Sequence, residues 1–181
     1  MQSTLSVEIE APATLVFELA RDLERWPTLL PHYRDVHVLE RHGDGAITAR
    51  MIAIRPLVAM LGYGLPVAWR ARSWSETGPK RIRFMHQGGA TNGMVVTWRV
   101  EPTPSGCRVS IEHIFNPRVP GWSSFVERLF VRPIATRTLA TFKAIAEALA
   151  VQAATPPATP TAAPRFTKPR STRRRSAKKA T

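Results

Sequence analysis

Near its start the chain alternates, with Leu5, Val7 and Ile9 apolar and Ser6, Glu8 and Glu10 polar. A period of two sends successive side chains to opposite faces, so this segment reads as a half-buried strand. Ala11-Pro12 ends it, and Pro12 suits the first turn of a helix. The period then lengthens: Leu15, Val16, Leu19 and Leu23 recur at helical spacing. Trp26-Pro27 opens a second short helix or turn, closed by Pro31. Strands are expected over residues 36–40 and about 46–54, around the turn Gly43-Asp44-Gly45. Four more follow over roughly 67–74, 81–86, 94–101 and 107–115, separated by clusters of Gly, Pro, Thr, Asn and Ser of hairpin length. The last ordered element predicted is a long helix from about 121 to 149, with Leu139, Phe142, Ala146 and Leu149 as its apolar stripe. Pro133 inside it removes the hydrogen bond to Leu129 and should kink it.

The turns imply a register. Ser73 is expected opposite Ile82, Phe84 opposite Met94, and Met94 opposite His113, which preserves side-chain parity across the sheet. One face then carries Trp69, Ala71, Ser73, Ile82, Phe84, His86, Met94, Val96, Trp98, Val100, Val109, Ile111, His113 and Phe115. The other carries Arg70, Arg72, Arg81, Arg83, Arg99, Arg108 and Glu112. Such a division marks an antiparallel sheet with one covered face. Three rows cross that face: Trp69, His86, Asn92 and Phe115; then Ala71, Phe84, Met94 and His113; then Ser73, Ile82, Val96 and Ile111. Polar groups gather at one end and aliphatics at the other, as in a pocket with a mouth.

Composition changes this picture at one place. Of the 181 residues, 44% are hydrophobic, enough for the core of one α+β domain over residues 1–150. The net charge of +13 is uneven, because all 13 acidic residues lie between Glu8 and Glu147. Residues 151–181 hold eight Lys or Arg, five Pro and no periodicity, and read as a disordered basic tail. Arg173-Arg174-Arg175 and Lys178-Lys179 suit nonspecific contact with nucleic acid or anionic lipid. A solubilising appendage is the preferred reading. The single cysteine, Cys107, permits no internal disulfide, and no signal peptide is recognised, so a cytoplasmic protein is expected. The longest apolar-rich stretch, residues 57–68, is 12 residues long, short of the ~20 that span a bilayer. Residues 56–66 are unusually apolar for a connector. They read as a lid, a membrane-touching tip or a packed loop.

Val7-Glu8-Ile9-Glu10-Ala11-Pro12, Val16-Phe17-Glu18-Leu19, Asp22, Trp26-Pro27, Pro31-His32-Tyr33 and Trp98-Arg99-Val100-Glu101-Pro102 together resemble the START-like, or Bet v 1-like, helix-grip superfamily. The nearest branch is the polyketide cyclase/dehydrase and coenzyme Q-binding group. The resemblance runs over residues 3–149. It implies a curved antiparallel sheet, two short helices after the first strand, and a long C-terminal helix over a ligand cavity. Members include aromatase/cyclases and lipid or quinone carriers. No single catalytic motif unites them, so no catalytic residue carries over.

The candidate chemistry is sparse. His32, His37 and His42 are five residues apart, a spacing that puts strand neighbours on opposite faces, so they form no metal site. His86 and His113 share a face but lie on the order of 10 Å apart, too far for one zinc. Neither a metal nor another cofactor is expected. As proton carriers His86 and His113 are the candidates should the protein be an enzyme, His86 the better for its place beside Gly88-Gly89. Each reads more simply as a satisfied core histidine. Cys107 has no expected histidine partner and reads as a small core residue. Trp26, Trp69, Ala71, Phe84, His86, Met94, Trp98, His113 and Phe115 are the expected lining for a flat hydrophobic ligand, against the plain alternative of core packing. Two functions survive: binding of an aromatic polyketide, lipid or quinone-like molecule, which is preferred, or aldol cyclisation and dehydration of a polyketide chain.

Overall fold

A computed structural model describes residues 1–58 and 63–154. The first strand, β1 (Gln2–Ile9), alternates in exposure as its sequence alternates in polarity. Pro12 then starts α1 (Ala13–Arg21), whose Val16, Phe17, Leu19 and Ala20 are buried. A single 3-10 turn (Leu23–Arg25) leads into α2 (Trp26–Leu29). Six strands follow: β2 (Tyr33–Arg41), β3 (Ile47–Val58), β4 (Tyr63–Glu76), β5 (Arg81–His86), β6 (Val95–Thr103) and β7 (Gly106–Ile114). All neighbours are antiparallel, in the order β1-β7-β6-β5-β4-β3-β2. The chain closes with α3 (Trp122–Val126), a π turn (Glu127–Val131) and α4 (Arg132–Ala154). The expected α+β architecture is therefore present: a curved sheet, two short helices after its first strand, and a long helix against its apolar face.

Three details differ from the sequence reading. Each hairpin is displaced by two residues, pairing Ser73 with Phe84, Phe84 with Val96, and Val96 with His113. The β4–β5 loop spans four residues and includes Lys80 at φ 45°, and the β5–β6 loop contains a 3-10 turn (Gly89–Thr91). Loop length sets register, and a slip of two keeps every side chain on its face. That is why the arginine face survives the error. It forms a band of partly exposed pairs: Arg72 with Asp44 at 2.6 Å, Arg83 with Glu76 at 3.3 Å, Arg99 with Glu112 at 2.8 Å and Arg108 with Glu8 at 2.6 Å.

The second difference is at the apolar connector. β3 and β4 pair through Pro56 with Gly64 and Val58 with Tyr63, so most of residues 56–66 extends the hairpin. Residues 59–62 of the expected lid lie outside the described residues. The third is the long helix. Its disturbance takes the form of a π turn one residue ahead of Pro133, with the Arg132 N–H donating to the Glu127 carbonyl. Helix α4 also runs to Ala154, beyond the point where the apolar stripe ends. Leu139, Phe142 and Ala146 of that stripe are buried, but Leu149 is 36% exposed. The expected tail lies, from residue 155 onward, outside the described residues.

The core sits between the concave face and α1, α2 and α4. Its centre is Trp26, 2% exposed, whose indole N–H donates to the Ala20 carbonyl at 3.1 Å. Trp98, Phe84, Tyr33 and Phe142 surround it at ring-centroid distances of 5.5, 5.9, 5.0 and 6.1 Å. Among the described residues no helix is long and apolar enough to cross a membrane.

Candidate functional site

The aromatic cluster does not fill the space under the helix. A cavity of about 310 Å³ opens between the sheet and α4. Trp26 and Trp98 reach it from below, joined by Phe84, Met94, Val96 and Ile111 of the sheet. Val131, Ile134, Ala135 and Thr138 line it from the helix side. Its wall also includes Leu65, Pro66, Ala68 and Ala90, which are exposed, and these mark the mouth.

Polar groups concentrate toward that mouth. Trp69 and His86 stack there, with rings 5.9 Å apart and 11° from parallel. His86 Nδ1 lies 2.9 Å from Thr91 Oγ1, and both residues line the cavity. His113, on β7, lies deeper: it is 7% exposed, and its Nδ1 is buried without a hydrogen-bond partner. The two histidines are separated by β6. Burial is the main cause that pushes the His86 imidazole down to about 3, with the nearby His113 a smaller contribution, and burial pushes His113 down to about 4. Both imidazoles are therefore neutral at neutral pH. Each offers one donor and one acceptor. Neither is a ready general acid, because so little imidazolium is present near pH 7.

A second polar group meets the wall from the opposite side. His32 Nε2 lies 2.8 Å from Thr138 Oγ1, and Thr138 donates to the Ile134 carbonyl at 2.8 Å. Tyr33, 6% exposed, also lines the cavity, and burial pushes its phenol far up, so it stays protonated.

Trp69, Phe84, His86, Met94, Trp98 and His113, picked out from the strand pattern, and Trp26 of the short helix thus come together around one cavity. Ala71 and Phe115 do not line it. They are 0% and 2% exposed, packed in the core beside it. Ala71 pairs with His86 where the sequence reading had placed it beside Phe84. Strand parity could not reveal Tyr33, Thr91 or Thr138, whereas Met51, in phase with Ala49 and Ala53 on the predicted strand 46–54, was within its reach. The helical set Val131, Ile134, Ala135 and Thr138 was within reach, since it continues the stripe of Leu139 and Phe142 toward the N-terminus at three- and four-residue steps. Cys107 is fully buried, and burial, with Glu8 nearby, pushes its thiol up, away from any nucleophilic role at neutral pH. Among the described residues no three His, Cys, Asp or Glu side chains assemble into a metal-binding group.

This architecture recurs in solved structures. The Zhui aromatase/cyclase of Streptomyces sp. R1128 superposes with a TM-score of 0.67 at 19% identity, over 81% of this chain and 93% of that one. A START superfamily protein of Mycobacterium smegmatis matches with a TM-score of 0.60 at 18% identity, over 82% of this chain and 98% of that one. These likenesses concern the fold. By sequence, the chain is 28% identical over 104 residues to a candidate polyketide cyclase of Streptomyces cyaneus, a match covering 57% of this chain and 64% of that protein's length. With the family described as polyketide cyclase/dehydrase and lipid transport matching residues 1–147, the chain belongs to that family.

Proposed function

We propose that this protein binds a hydrophobic, ring-containing small molecule between its sheet and its long helix. The observation that carries the reading is the cavity itself: about 310 Å³ of space lined mainly by apolar side chains between the sheet and α4. An engineered cavity of ~150 Å³ accommodates benzene, so this space suits roughly two or three fused rings. Burying ~300 Å² of apolar ligand surface at about 25 cal/mol/Å² stabilises the complex by roughly 7 kcal/mol before association costs. That describes a carrier of weak to moderate affinity. An aromatic polyketide, a lipid or a quinone-like molecule fits the description, and the family includes both cyclases and lipid transport in its name.

The second reading is cyclisation and dehydration of a polyketide chain, supported by two histidines on the cavity wall. The cavity would restrict the chain's conformations, and His86 or His113 would move protons. Their depressed proton affinity favours binding over proton transfer in the empty site. A cytoplasmic setting suits the single buried cysteine. Weak, salt-sensitive contacts of the basic C-terminal residues with nucleic acid or anionic lipid would complete this picture.

Native mass spectrometry of the protein purified from its own host tests the binding reading. A co-purifying hydrophobic molecule, lost when the cavity is filled by substitution at Ala135, is the expected result. Persistence of the adduct in the filled variant would place binding elsewhere. The His86→Gln variant separates the second reading. A carrier keeps most of its affinity, whereas an enzyme using His86 loses turnover by about 10²–10⁴-fold.

A further inference from the structure

On β3 the inward positions fall at every second residue, and Ala49, Met51 and Ala53 are 0, 1 and 0% exposed. The next inward position is Arg55, which is half-buried. It pairs directly with Leu65 of β4, and Leu65, Val67 and Trp69 line the cavity in succession from its mouth. Side chains opposite one another on one face have Cβ atoms about 5 Å apart, so Arg55 stands at the rim of the cavity. Arg72, Arg83, Arg99 and Arg108 of the outer face are each paired with an acid. Arg55 is not. Among the described residues no carboxylate lies within ion-pair reach of it, and its Nε is buried without a hydrogen-bond partner. The charge that acts on its neighbour His32, whose carbonyl accepts from the Ile54 N–H, is that of another cation, Arg137 of α4.

We propose that Arg55 receives the carboxylate of an amphiphilic acid whose apolar body occupies the cavity, so that the site takes a free acid in preference to its esters. This rests on the binding reading above and adds an acidic end to the ligand. A buried donor left without a partner is costly, and the Arg55 Nε–H is such a donor. The planar fork of an arginine matches a carboxylate, with Nε–H and one Nη–H donating to its two oxygens. That pairing satisfies the orphaned Nε–H. A carboxylate at the rim also keeps part of its hydration and meets an opposite charge, which avoids the cost of an ion buried alone. The body attached to it passes Leu65 and Val67 and reaches the aromatic floor of Trp26 and Trp98. His86 and His113, neutral at neutral pH, add no competing charge. One guanidinium balances one carboxylate, whereas a phosphate monoester carries more negative charge at neutral pH than a single arginine neutralises.

The test uses the full chain and two probes of nearly equal size, 2-naphthylacetate and its methyl ester, at pH 7.5 and physiological salt. Calorimetry measures both affinities in the unaltered protein, in Arg55→Gln and in Arg55→Lys. The Ala135→Phe variant, with its cavity filled, reports any binding of the acid to the surface or to the basic C-terminal residues. The acid is expected to bind more tightly than the ester and to lose about 10–100-fold in Arg55→Gln, while the ester changes little. Unchanged ester binding also shows that the variant keeps its fold and its cavity. Arg55→Lys, which keeps the charge without the fork, is expected to fall between the two. An Arg55→Gln variant that weakens the acid no more than the ester overturns the role of Arg55 and leaves the binding reading intact. Failure of both probes to bind the unaltered protein, or equal binding in Ala135→Phe, overturns the binding reading and this inference with it.

Discussion

The Thr138 hydroxyl holds the His32 imidazole at 2.8 Å and donates its own hydrogen bond to the Ile134 carbonyl, also at 2.8 Å. Because the hydroxyl proton is committed to the carbonyl, Thr138 accepts and His32 Nε2 donates. The tautomer follows: Nδ1 carries no proton, and it is buried without a partner. The link ties the loop before β2 to α4, 106 residues away in the chain, beside the cavity. Thr138→Val keeps the shape but strands a buried N–H. Leaving such a donor unpaired costs about 1–3 kcal/mol. Chemical denaturation should show that loss for Thr138→Val and much less for Thr138→Ser, which restores the acceptor. Equal stability of the valine variant would mean that the contact contributes nothing.

Acid should weaken the fold before its carboxylates titrate. Burial, with Arg137 close by, pushes His32 down to about 4, and His86 and His113 sit at about 3 and about 4. An unfolded histidine takes its proton near pH 6.5. Above that pH neither state is protonated and these groups contribute no pH dependence. Below it the unfolded chain binds protons that the folded chain refuses, so stability falls as pH falls. Each histidine contributes up to about 1.4 kcal/mol per pH unit until its folded-state value is reached. Asp44, Glu112 and Glu147, held low by their hydrogen bonds, add their loss only in the ordinary carboxylate range and below. Thermal melts between pH 7.5 and 4.5 should therefore decline, and His32→Gln should flatten the slope. A flat profile over that window would refute the buried neutral histidines.

Two alanines separate cavity from core. Ala135 lines the cavity, whereas Ala71, fully buried, does not. Ala135→Phe should retain near-normal stability and lose affinity for a hydrophobic probe, since its ring enters existing space. Ala71→Phe should cost about 1–3 kcal/mol, because it overpacks a filled region. Urea titrations of the two variants check this, and a reversal of the order would put the empty space on the other side of β4.

Shortening the chain after Ala154 should leave the melting temperature unchanged. The motive is the loss of apolar periodicity beyond Leu149 together with the end of α4 at Ala154. A fall of many degrees in a calorimetric scan would mean that the basic segment packs on the body.

Strand identity and sidedness were legible because alternation is a local property. Trp69, Ala71 and Ser73 share a face whatever their partners are, and so do Arg70 and Arg72. The amphipathic stripe through Leu139 and Phe142 was legible for the same reason. Register was not, because it depends on how many residues each loop spends in turning, and Lys80 at φ 45° adopts a conformation that composition alone does not announce. The site divides along the same line. Sequence determined which strand side chains face inward, and so placed His86, His113, Phe84 and Trp98 on the covered face. Tertiary structure decided that Tyr33, Thr138 and Ala135 meet them, that Ala71 does not, and that a space of about 310 Å³ stays open among them. Whether facing surfaces fill or leave a gap depends on the distance and angle at which the helix crosses the sheet, and no single segment encodes that distance.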